Sequence, residues 1–541
     1  MTFIQKEKTD HLNPPRVLVV ENDAMTRHVY AELLKHWGYL PILAEGDGIY
    51  LLENAGALVR NQRCRLALVD LRLLDNFDEQ DKSGLHIIPN LAPAACIILS
   101  AFATPNDFND ARQNGAYAVV HKGDGPRALR KELDKLAGKL CSQKKEIQFD
   151  PPELLNEIGP SVMGTAVAEQ FYDQVLDAFI QLFPNARRLK VEKLGASQPS
   201  HNYLSAPRLR STLLTVREDD RQPVIVKLAR QQKAKIEIDN YNKYIDEKLK
   251  RAYYPALKGD CYLWDIGGLR FAYVGTLDQV FSNFFLNQST NRIKTSLEQF
   301  FNETWSPHYE AATTREHTSL FRLYCSVWGD EWVERLKKYQ GFHPEEAMDS
   351  ARIAKLQPPN PFEWMKTNIL GGQDVSQMEK IRVAVTHGDL HGDNMLVDSN
   401  HNIWVVDFER TQPGHILQDF IELEVDLISR LPNIPENSSA FYALCLAVCQ
   451  PDRLQALKSD PRIEANAEAR KVFSTISTLR KLAHTRTGLT DIREYRLGLL
   501  FNTLFRATLA KNQQRALMLG SILCYRLDHP NETWPPAHWN Y

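Results

Sequence analysis

The stretch at 381–410 constrains the fold most, because apolar runs flank a polar loop whose functional side chains keep a fixed spacing. Residues 383–385 lead into this loop, which occupies 387–394, and a short apolar run follows it. After a turn rich in Asp, Ser and Asn, the apolar run 403–406 ends directly at Asp407. Short apolar runs separated by turn residues predict strands, so we expect a strand, a loop and a two-stranded hairpin.

The loop reads HGDLHGDN, and the strand after it ends in Asp-Phe-Glu. This sequence resembles that of the aminoglycoside and choline kinase-like phosphotransferases, whose loop has the pattern HGDxHxxN. The resemblance implies that Asp389 is the catalytic carboxylate and that Asn394 and Asp407 hold Mg²⁺ between the phosphates of ATP. It also implies supporting roles behind the loop for His387 and for Asp419, which ties the loop in place. The alternative for the same residues is an acidic turn without catalysis.

Length and composition restrict the classes of protein that remain. A chain of 541 residues is too long for one core and suggests three or four modules. Charge is nearly balanced, with 65 basic and 67 acidic side chains, which gives no indication of a nucleic-acid-binding surface. We also expect no membrane span, no secretory leader and a cytoplasmic location with reduced thiols.

The first 138 residues alternate apolar runs with amphipathic segments. The runs at 16–20, 66–69, 96–99 and 118–120 read as buried strands, and each is followed by a polar or charged side chain. Strands alternating with helices predict an α/β doubly wound fold with a parallel five-stranded sheet, whose functional groups lie at the carboxyl ends of the strands.

This layout resembles the receiver domain of bacterial response regulators. The resemblance implies that Asp70 is the phospho-acceptor and that Glu21, Asn22 and Asp70 bind the metal. Ser100 is then the switch hydroxyl, and Lys122 pairs with the phosphoryl group. A sensor histidine kinase or another phosphodonor is the implied partner, and the receiver is a candidate surface for a homodimer.

Three features depart from the receiver pattern. Asn22 stands where the family usually has an aspartate, Gly84 follows Asp70 at an unusual distance of fourteen positions, and Gly123 follows Lys122 where proline is typical. A receiver fold that serves as a docking or dimerisation module without phosphorylation therefore remains an open alternative.

Downstream of the receiver, the pattern of the sequence divides the chain into further segments. The expected segments are a receiver domain at 1–138, a linker and helix at 139–187, a kinase-like small lobe at 188–276 and a kinase-like large helical lobe at 277–541. In the small lobe, the strand lysine Lys227 is expected to reach the nucleotide phosphates, with Glu237 on the next helix as its partner. Gly195 in the preceding loop and Tyr273 at the hinge are the other predicted nucleotide-binding residues.

Together these features predict an α+β bilobal protein-kinase-like fold with a large helical C-terminal lobe, placed after the receiver. The predicted function is Mg²⁺-dependent transfer of the γ-phosphate of ATP to a hydroxyl of a small molecule or protein, under receiver control. GTP in place of ATP stays open. The alternatives are a nucleotide-binding pseudokinase scaffold in a two-component pathway and a transcriptional regulator, which the absence of a basic DNA-reading helix disfavours.

Overall fold

The computed structural model describes most of the chain. The described residues are 15–75, 77–78, 80–101, 104–141, 146–164, 166–167, 170–194, 211–219, 221–250, 253–272, 277–338, 357, 359–435, 438–509 and 514–539. Gly195 and Tyr273, two of the predicted nucleotide-binding residues, lie outside these ranges.

The chain divides into two compact units. The first comprises Met1–Leu194, Leu209–Ala234 and Lys258–Arg270, and the second comprises Gly195–Arg208, Lys235–Leu257 and Phe271–Tyr541. The predicted receiver and most of the predicted small lobe therefore belong to one unit.

The N-terminal part of the first unit is a parallel five-stranded sheet with helices. Its strands are β1 (Arg16–Val20), β2 (Leu40–Leu43), β3 (Leu66–Asp70), β4 (Ala95–Ser100) and β5 (Ala118–His121). Its helices are α1 (Ala24–His36), α2 (Gly48–Asn61), α3 (Ser83–His86), α4 (Ile88–Leu91), α5 (Pro105–Gln113) and α6 (Gly125–Cys141). The strand order is β2-β1-β3-β4-β5, which is the flavodoxin-like order of doubly wound sheets.

Both faces of this sheet are covered, which explains the continuous apolar runs. Along β1, Leu18 and Val20 belong to one core cluster, while Val17 and Val19 belong to a second. The central strands β1, β3 and β4 were predicted individually because burial on both faces keeps all but their end residues apolar. Strand β2 was not, because it forms an edge and contains Pro41.

The rest of the first unit is built on a six-stranded sheet in the order β10-β11-β9-β8-β7-β6. Its strands are β6 (Glu146–Asp150), β7 (Arg188–Lys193), β8 (Ser211–Glu218), β9 (Val224–Arg230), β10 (Leu257–Tyr262) and β11 (Ile266–Ala272), the last of which ends in the second unit. Helices α7 (Leu154–Met163) and α8 (Gln170–Leu182) pack on it, and α9 (Gln231–Asn240) follows β9.

The prediction of a linker is wrong for residues 146–150. These residues form β6, which pairs in parallel with β7 and buries Ile147 and Phe149 between half-buried or exposed polar neighbours. The alternation of apolar and polar residues was present in the sequence, but the charged run before it suggested a loop.

The second unit is largely helical and carries two small antiparallel sheets. Its strands are β12 (Leu277–Val280), β13 (Thr313–Ser319), β14 (Gln377–Thr386), β15 (Met395–Asp398), β16 (Ile403–Val405) and β17 (Gln412–His415), in the orders β12-β15-β16 and β13-β14-β17. The helices of its first half are α10 (Phe281–Asn287), α11 (Thr290–Gln299), α12 (Ser306–Glu310), α13 (Leu320–Trp328), α14 (Glu331–Lys338) and α15 (Pro361–Met365).

The helices that follow the hairpin are α16 (Gln418–Ser429), α17 (Ser439–Cys449), α18 (Pro461–Glu464), α19 (Ala467–Thr487), α20 (Ile492–Ala507) and α21 (Gln514–Asp528). The predicted strand, loop and hairpin are present as β14, the loop at 387–394, β15 and β16. Among the described helices, none has both the length and the apolar character required to cross a membrane.

Candidate functional site

Four polar side chains meet at the carboxyl edge of the parallel sheet. Asp70 ends β3, Ser100 ends β4, Glu21 follows β1 and Lys122 follows β5. The Lys122 Nζ lies 2.7 Å from Asp70 Oδ1 and 3.0 Å from Glu21 Oε2. Glu21, Asp70 and Ser100 are all buried. The structure therefore brings together two buried carboxylates and one ammonium, as the order of the strands requires.

Burial shifts the acid–base properties of this group. Desolvation raises the pKa of Asp70, against the opposing effect of Lys122. Desolvation and the nearby Asp70 charge together raise the pKa of Glu21. Desolvation alone would lower the pKa of Lys122, but the two carboxylates outweigh it and that pKa lies above its usual value.

The residues after β1 divide between the site and the next helix. Asn22 is half-buried beside Glu21, whereas Asp23 is exposed and caps α1 by accepting a 2.7 Å hydrogen bond from the Thr26 N–H. The oxygen atoms of Glu21, Asn22 and Asp70 are of the type that Mg²⁺ prefers. Their donor set fits such an ion, which would share the carboxylates with Lys122.

The stretch between Asp70 and Gly84 contains an acidic insert at 76–81, and the Asp81 side chain organises the turn that includes it. The Asp81 carboxylate accepts hydrogen bonds from the N–H groups of Leu74, Asp75 and Ser83 at 2.8–2.9 Å. Gly84 follows, and a Cβ there would lie 1.9 Å from the Asp70 carbonyl oxygen. The described part of the insert therefore forms a compact turn that returns the chain to close contact with the end of β3.

The second candidate site is the loop between β14 and β15. Gly388 has φ +77°, and a Cβ at this position would lie 2.5 Å from the Arg410 carbonyl oxygen. Asp407, at the end of the hairpin, also has a left-handed backbone with φ +74°. Left-handed non-glycine residues cost free energy and are often found at functional sites. The loop thus depends on one glycine and on one strained aspartate.

Helix α16 holds this loop through three buried carboxylates on one face. Asp419 accepts hydrogen bonds from the N–H groups of His387 at 3.0 Å and Gly388 at 3.2 Å. Glu422 accepts from the Leu390 N–H at 2.7 Å, and Asp426 accepts from the Gly392 N–H at 2.9 Å. The positions i, i+3 and i+7 share a helix face, which explains why successive acids meet successive loop residues.

The three carboxylates differ in their charge environment. Burial and the neighbouring Glu422 raise the pKa of Asp419 well above its usual value. Burial, aided by Asp389, raises the pKa of Glu422 to about 6. Burial would also raise the pKa of Asp426, but the paired Arg430 holds it well below its usual range.

Arg430 forms a dense hydrogen-bonded network beside the loop. It donates to both carboxylate oxygens of Asp426 at 2.5 and 2.8 Å, to Asp393 at 2.8 Å and to the Ser282 Oγ at 3.2 Å. Ser282 also donates to Asp393. This network fixes the far end of the loop, where a Cβ at Gly392 would lie 2.6 Å from the Ser282 Oγ.

Asp389 lies between two arginines. The Arg410 Nη1 is 3.6 Å from its Oδ2, and the Arg506 Nη2 is 3.5 Å from its Oδ1. Burial would raise the pKa of this carboxyl, but Arg410, His391 and Arg506 together hold it well below its usual range. Asp389 is therefore ionised throughout the physiological range of pH.

The other predicted loop residues lie close to Asp389. The Asn394 Nδ2 donates to the Asp389 carbonyl at 2.9 Å, which leaves the amide oxygen as the acceptor end of this side chain. His387 is fully buried, its Nε2 donates to the Val406 carbonyl at 3.0 Å, and burial lowers its pKa to about 4. A neutral His387 thus fixes the backbone just before Asp407.

Glu237, predicted as a partner of the strand lysine, contacts the segment after Asp407. Its carboxylate accepts from the Phe408 N–H at 3.3 Å. One turn later on α9, the Asn240 Nδ2 donates to the carbonyls of Phe408 and Glu409 at 3.0 and 2.9 Å. Lys227 lies on β9 and is almost completely buried. Its pairing with Glu237 stays a prediction.

The sequence did not single out several residues of this site. Glu422 and Asp426 were detectable in principle, because acids at helical spacing in an apolar helix indicate a polar contact. Arg410, Arg430 and Arg506 carried no such signal, since an arginine at a helix end is ordinarily exposed to solvent. In the described part of the chain, no group of three or more His, Cys, Asp or Glu side chains is arranged to hold a metal, and both predicted metal sets include an asparagine.

Comparison with known proteins separates the two parts of the chain. A family described as "Ternary complex associated domain 9" matches residues 334–504, which is less than half of the chain. That range contains the loop, Asp407 and α16 but not Lys227 or Arg506. No curated protein matches the chain.

Solved structures match the N-terminal region. The signal receiver domain of a putative Luxo repressor protein from Vibrio parahaemolyticus is 22% identical, with 23% of this chain and 89% of that chain covered and a TM-score of 0.20. A CheY-like response regulator receiver domain protein from Methanospirillum hungatei is 22% identical, with 23% and 94% covered and a TM-score of 0.20. A response regulator from Thermotoga maritima is 20% identical, with 23% and 97% covered and a TM-score of 0.19.

The N-terminal region is thus similar to response regulator receiver domains, as the sequence predicted for this part of the chain. Its five-stranded parallel sheet agrees with the fold predicted from the sequence.

Replacing Lys122 with Met is expected to destabilise the first unit by about 3 kcal/mol at pH 8, because two buried carboxylates lose their cation. Groups whose pKa is raised in the folded state oppose folding only when they are ionised, at pH values above that pKa. The deficit of K122M should therefore shrink as the pH falls from 8 to 5. Urea denaturation measures it, with the exposed Lys131→Met on α6 as control. A deficit independent of pH would contradict the electrostatic explanation.

Gly388→Ala and Gly488→Ala should separate backbone strain from steric overlap. Gly488 also has a left-handed backbone, with φ +67°, but a Cβ there meets nothing within 4 Å. We expect about 1 kcal/mol of destabilisation for G488A, from backbone strain alone. For G388A we expect at least about 1 kcal/mol more, because the added methyl overlaps Arg410. Equal destabilisation of the two variants in urea denaturation would show that the loop rearranges around the added methyl group without cost.

Proposed function

We propose that the chain is a receiver-regulated phosphotransferase that moves the γ-phosphate of ATP to a hydroxyl group. The observation that carries this proposal is the rigid presentation of Asp389. Four loop N–H groups donate to the carboxylates of α16, and Asn394 closes the loop onto the Asp389 carbonyl. Phosphoryl transfer depends mainly on positioning and on charge stabilisation, which such a loop supplies.

Asp389 acts in this proposal by orienting the acceptor hydroxyl. The arginines hold its pKa well below the ordinary value, so it is a weak base. A loose transition state requires little proton abstraction before the new bond forms. An ionised carboxylate that accepts a hydrogen bond from the hydroxyl is sufficient for that role.

The Asn394 amide oxygen and the Asp407 carboxylate would hold Mg²⁺. Bound there, the ion would neutralise the charge of the nucleotide phosphates. The bonds from Glu237 and Asn240 to the Phe408–Arg410 turn fix the backbone just after Asp407. Lys227 on β9 is the proposed contact to the α- and β-phosphates, the role that a strand lysine has in kinases.

The receiver region supplies the proposed regulation. Phosphorylation of Asp70 by an acyl phosphate or a phosphohistidine donor would add about two negative charges beside Lys122 and Ser100. A tenfold change in activity requires a coupling free energy of only about 1.4 kcal/mol between the receiver and the catalytic unit. The ion pairs of Lys122 with Asp70 and Glu21 would rearrange in response, since they would then compete with the phosphoryl group.

Calorimetric titration of ATP tests the nucleotide site. We expect binding to the wild type that strengthens with Mg²⁺, and loss of that metal dependence in Asp407→Asn, because the amide is a weaker ligand. Asp330→Asn, which changes an exposed aspartate of the same unit, should bind as the wild type does.

Two other outcomes have definite meanings. Absence of ATP and GTP binding to the folded wild type would refute the phosphotransferase. Metal-dependent binding without transfer to water or to any alcohol offered would favour a pseudokinase scaffold.

Incubation with acetyl phosphate tests the receiver site. We expect intact-protein mass spectrometry to show one added phosphoryl group that hydroxylamine removes, and no addition to Asp70→Asn, since the carboxylate is the nucleophile. Asp78→Asn, an exposed position in the acidic insert, should be modified as the wild type is. Equal modification of Asp70→Asn and the wild type would remove Asp70 from the mechanism, and no modification of either would favour a docking module.

A further inference from the structure

The two arginines beside Asp389 have more hydrogen-bond donors than the described protein can satisfy. A guanidinium carries five N–H donors and no acceptor. Within the described residues, the only polar partner of either side chain is Asp389, at 3.6 Å from Arg410 and 3.5 Å from Arg506. The Arg506 Nε is buried and makes no hydrogen bond.

A third arginine in the same site differs from the pair. Arg430 donates four hydrogen bonds of 2.5–3.2 Å to Asp426, Asp393 and Ser282. Arg410 and Arg506 are comparably enclosed, with side-chain exposures of 29% and 20% against 27% for Arg430. Enclosed donors without acceptors are uncommon in proteins and indicate a ligand or ordered water.

The two arginines outnumber the one carboxylate that they contact, and the other acids that act on Arg410 are Glu409, Glu422 and Asp407. Two guanidinium groups face the single carboxylate of Asp389. The nearest buried acid on α16, Glu422, already accepts from the Leu390 N–H, the Trp328 indole and Gln418. Arg410 packs over the Phe505 ring with 5.3 Å between the guanidinium carbon and the centroid, and Arg506 follows Phe505 on α20. The pair is thus held in place by packing rather than by acceptors.

We propose that the acceptor of this enzyme is an alcohol that carries an anionic group, a phosphate or a carboxylate, which Arg410 and Arg506 bind while Asp389 orients the hydroxyl. This inference rests on the proposed phosphotransferase function. Planar guanidinium groups bind both anions through paired hydrogen bonds. An acceptor with a quaternary or primary amine would face two like charges in the same place.

The chemistry of the step is unchanged by this assignment. The hydroxyl oxygen forms a bond to the γ-phosphorus, and the bond from that phosphorus to the bridging oxygen of ADP breaks. The electron pair leaves with ADP, and the proton of the hydroxyl passes to Asp389 or to water. The product then carries two anionic groups, one of them new.

Thermal denaturation with inorganic phosphate as the probe tests the anion site. The full chain is titrated with phosphate at constant ionic strength, in the presence of saturating Mg²⁺ and a non-hydrolysable ATP analogue. A bound anion at free concentration c stabilises the folded state by RT ln(1 + c/Kd), so the rise of Tm with phosphate concentration gives the Kd. We expect Arg506→Gln and Arg410→Gln each to weaken phosphate binding about tenfold or more, as loss of a charged hydrogen bond does. Arg453→Gln, an exposed position, should leave it unchanged.

Asp389→Asn is expected to change phosphate binding in the opposite direction to the arginine variants. Removal of the carboxylate that partly neutralises the arginines should tighten phosphate binding several-fold, whereas a merely structural role for Asp389 predicts no gain. A parallel titration with acetate distinguishes the two anions: stabilisation by phosphate alone assigns a phosphate-bearing alcohol, and stabilisation by acetate assigns a carboxylate.

Three outcomes would overturn the inference. The first is no stabilisation by either anion in the wild type. The second is an equal loss in Arg453→Gln. The third is phosphate binding that is seen in a titration without the nucleotide analogue and is lost when the analogue is present, which would assign the arginines to the γ-phosphate. Failure of the nucleotide itself to bind, with phosphate binding still dependent on Arg506, would refute the phosphotransferase and leave an anion site.

Discussion

The second unit depends on the burial of carboxylates along one face of α16. A buried carboxylate is stable only if charge or hydrogen bonds replace its water. Asp419, Glu422 and Asp426 meet this requirement with the N–H groups of the loop at 387–394. The same bonds satisfy N–H groups that neither β14 nor β15 can pair. Helix and loop therefore require each other, and the position of Asp389 follows from that mutual requirement.

Three solutions to the same electrostatic problem occur along the chain. Lys122 neutralises Asp70 and Glu21 through contacts of 2.7 and 3.0 Å. Arg480 and Glu424 form an ion pair that is almost completely buried, supported by the Tyr495 hydroxyl. Asp389 is different, because its two arginines approach only to about the limit of a hydrogen bond. The looser contact leaves both partners able to bind something else, which a structural ion pair cannot do.

The parts of the fold that the sequence predicted are those determined by local pattern. Strands β1, β3 and β4 are buried on both faces and read as continuous apolar runs, and the hairpin β15–β16 is bounded by turn residues. Strands β6 and β10 were missed, because each forms the edge of its sheet and mixes polar with apolar residues, and β2 was missed because it is a short edge strand that contains Pro41. At an edge, pairing with one neighbour decides the structure, and that information is not local.

In the candidate site, too, the residues predicted from the sequence are those that lie close together along the chain. The loop, Asn394 and Asp407 lie within about twenty residues of one another, so their spacing alone indicates phosphoryl transfer. Arg506 reaches Asp389 from 117 positions away, and Ser282 approaches the loop from the opposite direction along the chain. In the proposed function, the loop residues and the metal ligands are local in sequence, whereas Arg506, one of the two arginines that would select the acceptor, comes from a distant helix. The motif therefore predicts a type of reaction, but part of the charge proposed to select the substrate is brought to the site only when the helices are packed.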